Sequence, residues 1–211
     1  VPDLPAPIPV LPGGTWRPLT LDDLAAYVQL QEAARAADGG EEVTTEQLAH
    51  HELTDPEAPM ATNSLALVLP DGSLAASILI QQRLDGRLAR RVFLWGVTHP
   101  HRRGCGIGSA IMGWGVARAE EILAAQPDDL PRLVETFVDV RLAGALALHE
   151  RAGFQPVRWY FTMRRDLGDP LPSMADLGRL VIRPFEAGWG EPVRLAHNEA
   201  FADHWGSEPQ T

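Results

Sequence analysis

The sequence predicts a mixed α/β domain, and three observations carry that prediction. Three strand-like runs, residues 65–69, 74–82 and 91–98, are joined by the tight-turn signals Pro70-Asp71-Gly72 and Asp85-Gly86, which reads as an antiparallel meander. From Ile107 the apolar period becomes helical, with Ile107, Ile111, Trp114 and Ile122 on one face. A β-branched and aromatic run, residues 133–140, follows that helix, so a parallel crossover back to the preceding strand is expected.

The elements can be justified in order. Residues 1–14 hold Pro2, Pro5, Pro7, Pro9 and Pro12 before Gly13-Gly14, and read as an extended arm. Residues 15–19 form a short strand. Thr20 caps a helix running to about residue 36, with Asp22 and Asp23 in its first turn. The run Asp38-Gly39-Gly40-Glu41-Glu42 breaks it, and Thr44 or Thr45 opens a second helix to about Leu53. After the meander, Gln126-Pro127 ends the long helix. Residues 143–152 form a short helix closed by Gly153, and residues 157–163 form a final strand.

Composition removes several function classes. The net charge is −10, from 28 acidic against 18 basic side chains, and every basic side chain is Arg. A phosphate-loop NTPase and a Schiff-base enzyme both need a Lys that this chain lacks. The acidic balance argues against nucleic acid or an anionic membrane as partner. No run approaches the roughly 18 apolar residues of a membrane span, and the N-terminal stretch has no basic region resembling a secretory signal. A single Cys fits a reducing cytoplasm.

The most informative stretch is Thr98-His99-Pro100-His101-Arg102-Arg103-Gly104-Cys105-Gly106-Ile107-Gly108-Ser109, between an apolar strand and an amphipathic helix. Three glycines on alternate positions let the main chain wrap an anion, with amides and a helix N-terminus facing one point. With no Lys available, backbone amides carry the binding, assisted by Arg102 or Arg103. A glycine-rich turn with no ligand is the plain alternative. A dinucleotide fingerprint fails, because Ser109 or Ile111 stands at the third glycine position.

Arg103-Gly104-Cys105-Gly106-Ile107-Gly108 resembles the R-x-x-G-x-G acyl-CoA loop of the GNAT superfamily of N-acetyltransferases. Leu148-His149-Glu150-Arg151-Ala152-Gly153-Phe154 is similar to its LYE-x-x-GF segment. The resemblance covers residues 15–167 in element order. It implies a GNAT fold: a twisted mixed sheet with helices on both faces. It implies acetyl-CoA as co-substrate, its pyrophosphate on the loop that includes Cys105, Ile107 and Ser109, its pantetheine along Gly96, Val97 and Thr98. The strand at 133–140 would splay from that one, with the acyl group in the opening. Two departures stand out: Leu142 where the family often has Asn, and His149 where it often has a Tyr that protonates the thiolate.

Acetyl transfer needs a neutral amine, a donor for the oxyanion and a proton for sulfur. The backbone N–H of Val97 or Thr98 could meet the oxyanion. Glu135 and Asp139, four apart on one strand, are candidates to take the amine proton, or simply form ion pairs on a solvated face. Asp38, Glu41 and Glu42 would recognise a cationic acceptor, or be an exposed charged loop. His149 shares a helical face with Leu142, Ala145 and Leu146 and points inward, as an acid near the thiol or as a core histidine. The histidines show no metal-ligand spacing, so no metal is expected. Cys105 reads as a spacer, because direct attack needs no acyl-enzyme. The expected function is transfer from acetyl-CoA to a small-molecule or peptide amine. The alternative is a non-catalytic acetyl-CoA-binding repeat, and a homo-oligomer stays open.

Residues 168–178 read as a linker, and an internal repeat follows. Arg17-Pro18-Leu19, Val28 and Glu32-Ala33 recur as Arg183-Pro184-Phe185, Leu195 and Glu199-Ala200, offset by 166 to 167 residues. Residues 180–185 read as a strand and 191–205 as a helix, the start of a second GNAT-like repeat over 179–211. One strand and one helix cannot bury their own apolar faces, so a two-repeat protein of about 330 residues is expected, the plain alternative being a C-terminal extension that packs on the first domain or on another copy. That arrangement resembles an actinobacterial group of the superfamily that includes mycothiol synthase.

Overall fold

The computed structural model describes residues 14–170, 173, 178–204, 207 and 209–210. The expected N-terminal arm therefore lies almost wholly outside the described residues, as do most of the linker and Trp205. The chain divides into two units, Val1–Gln155 and Pro156–Thr211.

The first unit is a five-stranded sheet in the order β1-β2-β3-β4-β5. It comprises β1 (Thr15–Arg17), α1 (Leu24–Asp38), α2 (Glu46–Leu53), α3 (Met60–Asn63), β2 (Ser64–Val68), β3 (Leu74–Arg83), β4 (Arg90–Thr98), α4 (Ile107–Ala124), β5 (Arg132–Thr136) and α5 (Ala143–Arg151). The strands β1 to β4 are antiparallel neighbours, and β5 lies parallel to β4, as the crossover argument requires.

Two apolar clusters fix the layers. Leu65, Leu67, Ile78, Ile80, Val92 and Leu94 meet Ile107, Ile111, Trp114 and Ile122 of α4 on one face. Leu19, Ala66 and Leu74 meet Tyr27 and Leu30 of α1 and Ala49 and Leu53 of α2 on the other. The approach of α4 is close: a Cβ on Gly115 would stand 2.5 Å from Ile78 Cδ1.

Several boundaries differ from expectation. The helix after Thr20 begins as a 3-10 turn, Leu21–Asp23, because the Asp23 carboxylate accepts from the Thr20 N–H at 2.8 Å while Arg17 grips it from outside at 2.7 Å. Gly39, at φ 67, ends α1, and Thr45 rather than Thr44 caps α2, accepting from the Leu48 N–H at 3.2 Å. The short α3 was not anticipated, since Met60–Asn63 is too brief to show a period. Its end is fixed by tertiary bonds: Ser64 Oγ accepts from the Leu19 N–H at 2.8 Å and donates to the Met60 carbonyl at 2.6 Å. The strand expected over 133–140 stops at Thr136.

The second unit contains a 3-10 turn, Ala187–Trp189, and α6, Gly190–Ala200. Arg194 pairs with Glu191 at 2.6 Å, and Asn198 and the Gln210 backbone exchange bonds of 2.9 and 2.7 Å. The strands expected at 157–163 and 180–185 are absent: both stretches carry no ladder. The alternation of Val157, Trp159, Phe161 and Met163 supplies a strand's period, but a strand also needs a neighbour to take its N–H and C=O groups.

Candidate active site

The site forms where the sheet opens. The β4–β5 register ends at Leu94↔Thr136, whereas β4 continues against β3 to Ala76↔Thr98. Thr136 Oγ1 donates to the Leu94 carbonyl at 3.1 Å and closes the ladder there. The Arg90 N–H donates to Pro131 O, so even-numbered residues of β4 face β5 and odd-numbered ones face β3. The backbone groups of Gly96 and Thr98 therefore point into the opening. Val97, like His99 whose N–H donates to Ala75 O, turns its backbone groups toward β3 and away from the opening.

The opening leads directly to the glycine loop. A 3-10 turn, Pro100–Arg102, precedes it, and Gly104 and Gly106 adopt φ of 77 and 87, the left-handed region where a side chain is strained. Gly106 caps α4, so the N–H groups of the first helical turn, from Ile107 through Gly108 and Ser109, have no earlier helical carbonyl and present the positive end of the helix. Arg103 Nε donates to the Thr98 carbonyl at 3.2 Å, and its guanidinium holds Asp38 with bonds of 2.6 and 2.8 Å. Burial first, then the charges of His101, Arg102 and Arg103, hold the His99 imidazole below its usual range. Arg102 is exposed, and the exposed Cys105 thiol is used locally, donating to the Arg102 carbonyl at 2.8 Å. Cradle, loop and edge together fit an acyl-CoA in character: anion at one end, amide-like chain along the other.

A cavity of about 1080 Å³ joins these parts, lined by β4, the loop, α5 and the sheet-facing sides of α1 and α2. His149 sits in it on α5. Its Nδ1 lies 2.7 Å from the Ala145 carbonyl, which can only accept, so Nδ1 carries a proton. Its Nε2 lies 3.3 Å from Thr136 Oγ1, whose own proton goes to Leu94. The ring is thus held at both nitrogens, with Nε2 shared with the Thr136 oxygen.

The strand carboxylates expected to serve as base are not brought to the opening unpaired. Glu135 forms an ion pair with Arg91. Asp139 lies beyond the end of β5, where the side chain and N–H of Arg141 hold its carboxyl down to about 2. A group so acidic is a weak proton acceptor near neutral pH. Of the acceptor candidates, Asp38 is taken up by Arg103, Glu42 lines the cavity, and Glu41 is exposed.

Sequence reasoning missed the deeper polar wall. Tyr27, 3% exposed, donates its hydroxyl to Glu52 Oε2 at 3.1 Å. Burial raises the Glu52 carboxyl above its usual range, against the opposing effects of Tyr27 and His51. Gln81 Nε2 donates to Asp55 Oδ2 at 2.8 Å. Trp95 and Phe137 stack beyond the end of the ladder, centroids 5.3 Å apart, and both line the cavity. A Tyr within the buried stripe of α1 signals a polar partner for its hydroxyl; nothing local says that the partner is Glu52.

No family model matches the chain. It is 31% identical over 205 residues to a mycothiol acetyltransferase of Frankia alni, covering 93% of this chain and 58% of that protein. A mycothiol acetyltransferase of Nocardioides is 29% identical over 192 residues, with 87% and 53% covered. The chain thus spans little more than half the length of these curated relatives. Among solved structures, a GCN5-related N-acetyltransferase from Sphaerobacter thermophilus superposes with a TM-score of 0.78 at 23% identity, covering 97% of this chain and 62% of that one. The ribosomal-protein-S18-alanine N-acetyltransferase of Escherichia coli gives 0.50 at 20% identity, covering 69% and 79%. The chain therefore has the fold of a GCN5-related N-acetyltransferase structure and is similar in sequence to two mycothiol acetyltransferases.

Proposed function

We propose that the chain transfers the acetyl group of acetyl-CoA to the amine of a small molecule by direct attack. The observation that carries this is the opening after Leu94 and Thr136, continuous with the glycine loop at the start of α4. The amides of residues 103–108 would take the pyrophosphate, with Arg103 assisting. Gly96 and Thr98 would bond the pantetheine and the acyl oxygen, and His149 would supply the proton to sulfur. The names of the curated relatives direct the acceptor search to mycothiol precursors. The single Cys, without an intramolecular disulfide partner, suits a cytoplasmic setting.

A second reading has its own support. Both strand carboxylates are engaged by Arg, and Leu142 and His149 replace the residues usual in the superfamily. On that reading this is an acetyl-CoA-binding repeat of a longer tandem protein, with residues 179–211 opening the other repeat. Calorimetry with acetyl-CoA, followed by thiol release against an amine panel, separates the two. Binding with turnover supports transfer, and binding without turnover supports the non-catalytic repeat. Gly106→Val, which forces a β-branched residue to φ 87, should weaken acetyl-CoA binding at least about tenfold. Undiminished affinity would sink the loop assignment for both readings.

A further inference from the structure

We propose that Glu52 takes the proton of the incoming ammonium group, with Tyr27 positioning its carboxylate from behind. This rests on the acetyltransferase reading and assigns the base that neither strand carboxylate supplies. The argument is one of free oxygens. Both oxygens of Asp38 are bound by Arg103, and both oxygens of Asp139 by Arg141. Asp55 accepts from the Glu57 N–H through Oδ1, at 2.9 Å, and from Gln81 through Oδ2. Glu135 is paired with Arg91. Two wall carboxylates keep an unbonded oxygen among the described residues: exposed Glu42 has neither oxygen fixed, whereas Glu52 has one of each, Oε2 accepting from Tyr27 and Oε1 without a partner.

That is the geometry of an oriented base, one oxygen fixed and the other presented. The titratable groups around it are Tyr27 from α1, His51 on its own helix and Asp55 one turn beyond; Tyr27, itself held above its usual range by burial, stays protonated and donates. Desolvation of Glu52 brings its proton affinity closer to working pH, which favours proton transfer from an alkylammonium. The protons balance as follows. The ammonium gives one to Glu52, and the neutral nitrogen attacks the thioester carbonyl carbon. The carbon–sulfur bond then breaks as His149 gives its proton to the sulfur, the nitrogen's second proton restores His149, and Glu52 returns its proton to solvent. The products are an amide, a free thiol and one proton.

The test measures thiol release by the whole chain with glucosamine, spermidine and a dipeptide amide as acceptors, over a range of pH. Glu52→Gln should lower kcat about 10²-fold while acetyl-CoA affinity, by calorimetry, stays unchanged. Tyr27→Phe removes a donor to the charged carboxylate, so the acid limb of the kcat profile should move to higher pH. A purely structural role for Tyr27 would leave that limb in place. Turnover by the parent chain together with full kcat in Glu52→Gln, or an unmoved acid limb in Tyr27→Phe, overturns the assignment. A parent chain that turns over none of the three acceptors instead overturns the transfer reading, and this assignment with it.

Discussion

Arg103 and Asp38 form a two-pronged ion pair, 2.6 and 2.8 Å, that ties the glycine loop to the last residue of α1. Arg103 is one of the two basic residues expected to assist a phosphate, so in this state a carboxylate occupies its fork. An incoming pyrophosphate must compete with Asp38 for it. Asp38→Ala should therefore tighten acetyl-CoA binding about two- to fivefold, the worth of a partly exposed ion pair. Calorimetry at two salt concentrations checks this: the gain should shrink as salt rises. Weaker binding would mean that Asp38 organises the loop more than it competes.

His149 is held at both ring nitrogens, by the Ala145 carbonyl at Nδ1 and by Thr136 Oγ1 at Nε2. His149→Phe keeps the ring volume and removes both nitrogens. Its kcat should fall about 10²-fold while acetyl-CoA affinity changes little, read by thiol release and calorimetry on one preparation. An unchanged kcat would return His149 to the role of packing residue.

Asp23 links β1 to α1 through Arg17 and the Thr20 N–H, and it is 5% exposed. Its bond with Arg17, more than the opposing burial, holds its carboxyl below the usual aspartate range. Its contribution is thus present above the unfolded value of about 4 and is lost as pH falls through the lowered folded one. Asp23→Ala should cost about 2 kcal/mol at neutral pH. Urea titrations at neutral pH and near pH 3 should show the gap between variant and parent closing on acidification.

Gly113 and Gly115 lie on α4 two residues apart and should respond oppositely. A Cβ at Gly113 meets nothing within 4 Å, so Gly113→Ala should stabilise by about 0.5–1 kcal/mol through helix propensity. A Cβ at Gly115 would press on Ile78 Cδ1, and Ile78 is enclosed by the core. Gly115→Val should cost about 2 kcal/mol. Thermal denaturation of both variants checks the pair, and equal shifts would refute the close helix–sheet approach.

Legibility in the sequence followed how local each signal was. The meander, the crossover and the loop were readable because turn residues, a change of period and spaced glycines are written in consecutive residues. The end of β5 was not, since Thr136 stops the ladder by a side-chain bond to Leu94, 42 residues away. Glu52 was invisible for the same reason: Tyr27, 25 residues earlier, gives it meaning. Glu135 and Asp139 show the converse. Their spacing was right for one face, yet arginines supplied by Arg91 and by the turn after β5 had already engaged them.

The opened parallel edge carries a risk as well as a use. From Trp95 to Thr98, β4 has lost its β5 neighbour, and a stretch of free sheet edge invites the strands of other chains and so aggregation. The protein sets a helix beside that edge. Ala145, Leu148 and His149 of α5 line the same cavity as Gly96 and Thr98, and Leu148 reaches within 3.4 Å of where a Cβ on Gly108 would be. A wall so placed competes with any strand that would pair there. The free backbone groups that make the edge useful are thus ones that a helix keeps inside a cavity instead of on an open surface.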